Sequence, residues 1–387
     1  MKIIIIGSGI AGLTLSLACQ RSGMQVSIYE KAQQLKNIGG GILLWPHGLR
    51  YLNWLGLADC LRPYHVDVTG FDMLSDKGDK IFSEKYADLY SLLGGGILPI
   101  DRSIFQQALL AKLDKNNLHL AKTCVRVSSD EKEACAYFAD GTEDSADIIV
   151  GADGIYSTVR QYVNPHAAHE YANYCWFGGI IEKNNTAFFL KDRACLAMGI
   201  NKIFIAWPTA QQRMMWYMPV KMSLENYAKD AELAQLNRLC ADWLPEIKET
   251  VFSSSNRQRF YLPIHTMAPQ DLFKQRIVLI GDAAHALGPI LGQGASQAIE
   301  DAYLLFHSLL KMHDGHHQHL ANYATLRLEK YQRLAVLENQ TADAMVHETK
   351  ETLDLFQDQV KDLSLLAMYQ ELIPWVNEAY CERNRGA

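Results

Sequence analysis

The sequence predicts an α/β chain. One parallel sheet is assembled from three separated stretches, with an interleaved α+β unit on an antiparallel sheet and helices at the C-terminal end. Three observations predict it. Lys2 to Glu30 reads as strand, glycine turn, helix and strand. Buried apolar strands recur at Ala146–Gly154 and Arg276–Asp282, each closing on a Gly/Asp turn. Between those two, short apolar segments rich in Met and Trp alternate with turns.

The first stretch carries the densest chemistry. Ile3 to Ile6 is a continuous β-branched run, the pattern of a strand buried on both faces. It runs into Gly7-Ser8-Gly9-Ile10-Ala11-Gly12 and a helical pattern (Ile10, Leu13, Leu17, Ala18) that stops at Ser22-Gly23. A second strand, Val26 to Tyr29, ends on Glu30 and Lys31. Gly7 permits a tight turn, and Gly9 lets the N–H groups near Ile10 and Ala11 approach a pyrophosphate. Gly12 lets the helix lie close to the strand. Glu30 can accept hydrogen bonds from a ribose and would repel a 2′-phosphate, which favours FAD or NAD over NADP at this turn. A dinucleotide is therefore expected; a ligand-free glycine turn is the alternative.

Bulk properties exclude several classes. The 387 residues suffice for two or three domains, and a net charge of −6 with no basic run gives no sign of a nucleic-acid partner. No apolar window reaches the ~18–20 residues of a membrane span. Met1-Lys2-Ile3 already begins a strand, without a signal peptide ahead of it. Cys19, Cys60, Cys124, Cys135, Cys175, Cys195, Cys240 and Cys381 are scattered, which argues against a redox pair or a metal site and for free thiols in a cytoplasmic protein.

Further along, Gly39-Gly40-Gly41 runs into Ile42-Leu43-Leu44, implying close backbone approach to another strand or a planar ligand. Trp45-Pro46-His47 opens a short helix ending at Gly56. Val66 to Tyr86 is strand-like about a turn at Asp76–Asp79. Asp101 suits the N-cap of a helix bearing Phe105, Leu109 and Leu113, and Arg102 in its first turn is a cation where the helix dipole favours anions, so it is aimed at a bound anion. Strands are expected near Leu118–Val127 and Cys135–Phe138, and a helix over Ile155–Tyr162 carrying Ser157 and Arg160. From Cys175 to Val220 four antiparallel strands are expected, and around Met198 to Met218 they are apolar on both faces, so the sheet must be covered twice. An amphipathic helix (Leu224, Tyr227, Ala231, Leu236, Leu239) follows. Gly281-Asp282 and Gly288-Pro289-Ile290-Leu291-Gly292-Gln293-Gly294 then lead into a long helix, and the remainder is helical.

Arg276 to Ala302, "RIVLIGDAAHALGPILGQGASQAIEDA", resembles the second FAD fingerprint of the class A flavoprotein monooxygenases, the para-hydroxybenzoate and salicylate hydroxylase group. Asp153-Gly154 within "GADGIYSTVR" resembles the middle motif of that family, Gly7, Gly9 and Gly12 its first, and Arg102 its cofactor-facing arginine. The resemblance implies a Rossmann-like FAD-binding domain (GR2-type) over 1–70, 97–163 and 271–330. A substrate domain would cover 71–96 and 164–270, and a helical segment 331–387. Asp282 would accept bonds from ribityl or phosphate-linking groups. The amides of Gly294 and Ala295, at a helix N-terminus, would face N1 and C2=O of the flavin, and Pro289, ahead of Gly292, its substrate side. Asp153 and Arg160 would form a structural or pyridine-nucleotide-related pair, and Gly41 would pass beside the ring.

The implied activity is that of a single-component FAD monooxygenase, monomer or homodimer. It would use NAD(P)H and O2 to hydroxylate a mostly apolar aromatic or heteroaromatic small molecule through a C4a-hydroperoxyflavin. One G-x-G-x-x-G is present, so NAD(P)H would bind transiently. Expected catalytic residues are His47, Tyr217 and Pro289, with Trp176, Trp207 and His265 as further candidates. Where relatives often carry an arginine, "YCWFGGII" has Phe177, which argues against a small carboxylated substrate such as salicylate. The alternatives are an FAD-dependent reductase or other non-oxygenating oxidoreductase on this fold, or a non-catalytic FAD-binding protein.

Overall fold

The computed structural model describes residues 1–35, 40–182, 192–227, 232–254, 259–312 and 318–385. A six-stranded sheet has the order β17-β18-β11-β1-β2-β7. Its strands are β1 (Lys2–Ile6), β2 (Gln25–Tyr29), β7 (Leu118–His119), β11 (Ile148–Gly151), β17 (Phe273–Lys274) and β18 (Ile277–Leu279). All neighbours run parallel except the edge strand β17. Ile6 lies beside both Tyr29 and Gly151, and Gly151 beside Leu279, so four strands end in line. The turns after them carry Gly7, Glu30, Asp153-Gly154 and Gly281-Asp282. The edge beyond the carboxyl ends of parallel strands is where open α/β sheets bind ligands.

Helices α1 (Ile10–Arg21) and α8 (Gly294–Leu310) share this sheet's core with Ile3, Ile4, Ile5, Ile149 and Val278, all fully buried. A three-stranded meander, β8 (Cys124–Ser129), β9 (Ala134–Phe138) and β10 (Glu143–Ala146), packs into the same core, as do α2 (Pro46–Trp54) and α4 (Arg102–Leu110). The two-stranded sheet of β3 (Gly41–Leu44) and β6 (Leu98–Asp101) pairs Gly41 with Asp101. Asp101 caps α4 through the Ser103 amide at 2.8 Å, as its sequence position suggested.

The second large sheet has the order β16-β12-β15-β14-β13-β4-β5. Its strands are β4 (Gly70–Leu74), β5 (Lys80–Lys85), β12 (Glu170–Glu182), β13 (Arg193–Gly199), β14 (Lys202–Thr209), β15 (Arg213–Lys221) and β16 (Arg259–Thr266). Both faces are covered. On one, Phe177, Phe204, Met214, Trp216 and Met218 pack under α6 (Glu232–Leu239) and α7 (Pro245–Ser253). The other presents Ile180, Leu196, Met198, Ile203, Trp207 and Met215 to α3 (Ala87–Leu93), α9 (Gln318–Met345), α10 (Lys350–Val360), α11 (Leu365–Tyr369) and α12 (Ile373–Val376). Among the described residues, no helix is long and apolar enough to cross a membrane.

Three sequence expectations need correction. The strand expected over Leu118–Val127 is two: Ala121 turns the chain at φ 58°, sending β7 and β8 to different sheets. The helix expected from Ile155 is only the four-residue α5 (Arg160–Val163), because Asp153 holds the preceding residues in a turn. Leu224–Asn226 form a 3-10 turn and the regular helix begins at Glu232; Ala231, like Gly39, lies outside the described residues.

α8 and α9 are joined by a buried ionic cluster. Asp301 Oδ1 receives Arg327 Nε at 2.7 Å and the Tyr331 hydroxyl; Oδ2 receives the Gly281 amide at 2.7 Å and faces His285 Nε2 at 2.7 Å. Glu300 is neutralised by Arg327 and by Lys330 at 2.7 Å. Burial opposes the charge on Asp301, but Arg327 and His285 outweigh it and hold the carboxyl at about 2. Replacing both partners of such a cluster by apolar groups is tolerable, whereas removing one leaves buried charge uncompensated. Arg327→Met is therefore expected to lose roughly 3–5 kcal/mol of unfolding free energy, read by urea denaturation; a loss within experimental error would refute the assignment.

Candidate active site

At the end of β1 the glycines do different work. A Cβ on Gly7, whose φ is +106°, would lie 2.3 Å from Ala152 O, so this position serves the contact between the first and middle turns. A Cβ on Gly12 would lie 2.1 Å from Gly7 O. Gly9 is the N-cap of α1, and nothing stands within 4 Å of where its Cβ would be. No side chain caps α1, so its first amides are left for a ligand. Glu30 reaches back across the turn, accepting from Ser8 N and Ser8 Oγ, both at 2.9 Å, and from Ala32 N. Lys31 beside it is exposed.

The middle turn is self-contained. Asp153 accepts from Ser157 Oγ at 2.5 Å and from the Thr158 and Val159 amides. Arg160 donates to the carbonyls of Ala283 (3.1 Å), Asp282 and Ile155, tying the middle turn to the third. A Cβ on Gly281 would stand 2.9 Å from that of Ala11, so the third turn also abuts the first helix. Asp282 is exposed, and its carboxylate makes no hydrogen bond with the described residues. α8 repeats the character of α1. Its N-cap Gln293 makes no capping bond, Gln293 Nε2 is buried without a partner among the described residues, and Gly294 has open space at its Cβ position.

Between these turns and the second sheet runs β3. A Cβ on Gly40 would stand 2.3 Å from the Phe260 ring, and one on Gly41 would stand 1.9 Å from Met215 Sδ. The glycines thus admit side chains of the second sheet, a use their sequence left open. Tyr217 donates its hydroxyl to Gly41 O, and burial raises its pKa. Gly292 faces the Leu43 side chain of β3, and Arg102 N bonds Gly40 O at 3.1 Å while its side chain is exposed. Trp176, Tyr217, Phe260 and Ile264 of the sheet meet Ile290 of the loop before α8 in one apolar cluster, in which Trp176 Nε1 is buried without a partner among the described residues. Pro289, the residue before Ile290, is half-buried.

A model of the family described as "FAD binding domain" matches residues 1–337. The chain is 30% identical over 333 residues to a 3-amino-4-hydroxybenzoate 2-monooxygenase of Streptomyces cremeus, covering 85% of this chain and 84% of the relative. The chain belongs to the class A flavoprotein monooxygenases. It is 27% identical to an FAD-dependent urate hydroxylase of Klebsiella pneumoniae, over 79% of this chain and 80% of that one. The crystal structure of Klebsiella pneumoniae HpxO with FAD and uric acid has the same fold, with a TM-score of 0.89, 23% identity and coverage of 100% and 97%. FAD is the cofactor of this monooxygenase, and the two uncapped, glycine-fronted helix ends fit its phosphates and its ring.

Two sequence-derived roles do not survive the geometry. His47 is sealed between α2 and α8, its Nε2 3.2 Å from Gln297 Nε2, and burial together with the charges of Lys330 and Arg327 keeps the ring neutral. Its side chain is fully buried at that helix–helix contact. Phe177 stacks on Tyr261 at 4.0 Å on the sheet face under α6 and α7. That face is turned away from β3, so Phe177 carries no information about substrate charge. Trp207 stacks on Tyr86 farther along the sheet, and His265 pairs with His169 at a strand end.

Sequence reasoning missed Glu338. From α9 its carboxylate accepts the Ile290 amide at 2.7 Å and the Leu291 amide at 2.9 Å, and a Cβ on Gly288 would stand 2.3 Å from it. The available signal was an acid on the apolar stripe of Leu334, Leu337 and Ala342. Glu338 has no ion-pair partner among the described residues; burial raises its carboxyl to about 7 while the two amides pull the other way. Tyr174 of β12 donates to Ala342 O on the same helix at 3.1 Å, and burial together with Asp343, Glu338 and Glu348 pushes that phenol up to about 12. Because the folded pKa of Glu338 exceeds its unfolded value of 4.5, folding favours the protonated form. Stability from this group is full below the unfolded value and is lost as pH rises through about 7. Relative to Glu338→Gln, the native protein should lose about 3 kcal/mol between pH 4.5 and pH 8, measurable by urea unfolding at both pH values.

Proposed function

We propose that this monooxygenase uses NAD(P)H and O2 to hydroxylate a flat, mostly apolar aromatic or heteroaromatic small molecule. The reading is carried by one convergence: Ile290 of the loop before α8 packs on the Trp176–Tyr217–Phe260 cluster, Tyr217 bonds Gly41 O, and Gly292 meets Leu43 of the same strand β3. Bound FAD supplies the two-electron reduction and the activation of oxygen. The protein's part is to hold, orient and keep water out. Gly9, Ile10, Ala11 and Gly12 receive the pyrophosphate at the start of α1; Gly7 shapes that turn, and Glu30 and Lys31 border the ribose. Asp282 takes the linking groups, with Asp153 and Gly154 completing the cradle. Arg102, Gly41, Pro289, Gly292, Gly294 and Ala295 surround the ring, where the α8 amides stabilise negative charge on the reduced flavin.

On the substrate side, Tyr217 and Pro289 are the residues in reach. NAD(P)H binds transiently, since the chain has one G-x-G-x-x-G.

The reaction is tested by adding aromatic, quinolone and polyketide-like compounds and following NAD(P)H oxidation with O2 uptake. Ligand-stimulated consumption of both, with an oxygenated product, is expected. Tight FAD without nicotinamide oxidation would falsify oxygenation. The cofactor contacts are tested separately. Gly9→Val should leave the apoprotein's melting temperature nearly unchanged while abolishing retention of yellow flavin, because the space beside Gly9 is open. Gly7→Ala should lower both, because its Cβ meets backbone.

A further inference from the structure

Glu338 is unusual among the buried carboxylates. Glu300 and Asp301 each face Arg327, with Lys330 or His285 added, whereas the charge of Glu338 meets two peptide N–H groups. Only 4% of the residue is exposed. A buried acid without a cation is an unfavourable choice for stability alone, since an apolar residue would fill the space without desolvating a charge. The two amides it receives are consecutive, Ile290 and Leu291. Fixing consecutive peptide planes sets the direction of the chain on both sides, at Pro289 before and at Gly292 to Gly294 after. Gly288, where any Cβ would strike the carboxylate, shows that the loop closes tightly around this group. The same helix continues to Ala342, which with Val346 just past its end packs on Tyr174 and Trp176 of the apolar wall.

We propose that Glu338 is a positioning residue that presents the 289–294 loop to the flavin ring, through its paired bonds to the Ile290 and Leu291 amides. The proposal rests on the reading that this loop meets the ring. It adds that α9, a helix outside all three sequence motifs, determines how well FAD is held. Glutamine has the same shape but one acceptor oxygen, so its NH2 group opposes one of the two amides. Above about pH 7, where the carboxylate is charged, loss of one charge-assisted bond is worth roughly tenfold or more in an equilibrium constant.

The test compares Glu338→Gln, Leu334→Ala and Gly294→Val as apoproteins reloaded with FAD. The FAD dissociation constant is read by flavin fluorescence quenching and the melting temperature without FAD by calorimetry. Glu338→Gln is expected to weaken FAD about tenfold or more, with an apoprotein melting temperature no lower than that of the native chain by more than about 3 °C. Leu334→Ala, a core truncation on the same helix, should lower the melting temperature more but leave FAD affinity within about threefold. Gly294→Val tests the underlying reading, and unchanged FAD affinity there would sink that reading. If Gly294→Val loses FAD while Glu338→Gln binds it within about twofold of the native protein, the positioning role alone is overturned. It is equally overturned if the affinity losses of Glu338→Gln and Leu334→Ala simply follow their melting temperatures.

Discussion

The geometry of the cofactor edge depends on Asp301. Its two oxygens gather the Gly281 amide, His285, Arg327 and Tyr331, four groups from the third turn, the segment after it and α9. Gly281 in turn abuts Ala11 of the first helix, so this buried carboxylate sets how the third motif lies against the first. As a source of stability such a cluster is a poor bargain against well-packed hydrocarbon. As a source of register it is effective, because the charges cannot slide past one another without exposing one of them to an apolar interior. α8 is thereby held with its open N-terminus at the sheet edge, beside the open N-terminus of α1.

The cofactor half of the molecule was legible in the sequence because its constraints are local. A strand, a turn requiring positive φ, and a helix start lie within a dozen residues, and each leaves a residue signature. The close approach of Gly7 to Ala152 and of Gly281 to Ala11 joins distant segments, yet each contact is marked by a glycine that is readable alone. The resemblance of Arg276–Ala302 to a known fingerprint then ordered the three segments.

The substrate half was less legible because alternation along a strand states that two faces exist, not which partner each face receives. Phe177 and Trp176 are adjacent, and one lies under α7 while the other meets Ile290. Gly40 and Gly41 announced close approach correctly, but the approaching groups, Phe260 and Met215, are more than 170 residues away. His47 failed for a related reason. A histidine after Trp-Pro is compatible with a pocket or with a helix interface, and only the position of Gln297 decides between them. Glu338 was passed over because an acid within an amphipathic helix is normally solvated, and nothing in α9 foretells the loop that covers it.

The character of the wall constrains how this enzyme can select its substrate. The Tyr217 hydroxyl donates to Gly41 O, so it can donate to a substrate only by releasing β3, although its oxygen can still accept. Trp176 Nε1 remains as a buried donor in the cluster, beside hydrocarbon and aromatic rings. Apolar pockets discriminate by only about 1–3 kcal/mol per methylene, whereas unmatched polar groups discriminate by far more. Under the proposed reading, this aromatic wall discriminates chiefly by shape, and Trp176 Nε1 is the polar group that a substrate would have to match. Oxygen chemistry at such a site is protected chiefly by exclusion of water, which the double covering of the sheet supplies and which a polar, anchor-rich pocket would compromise.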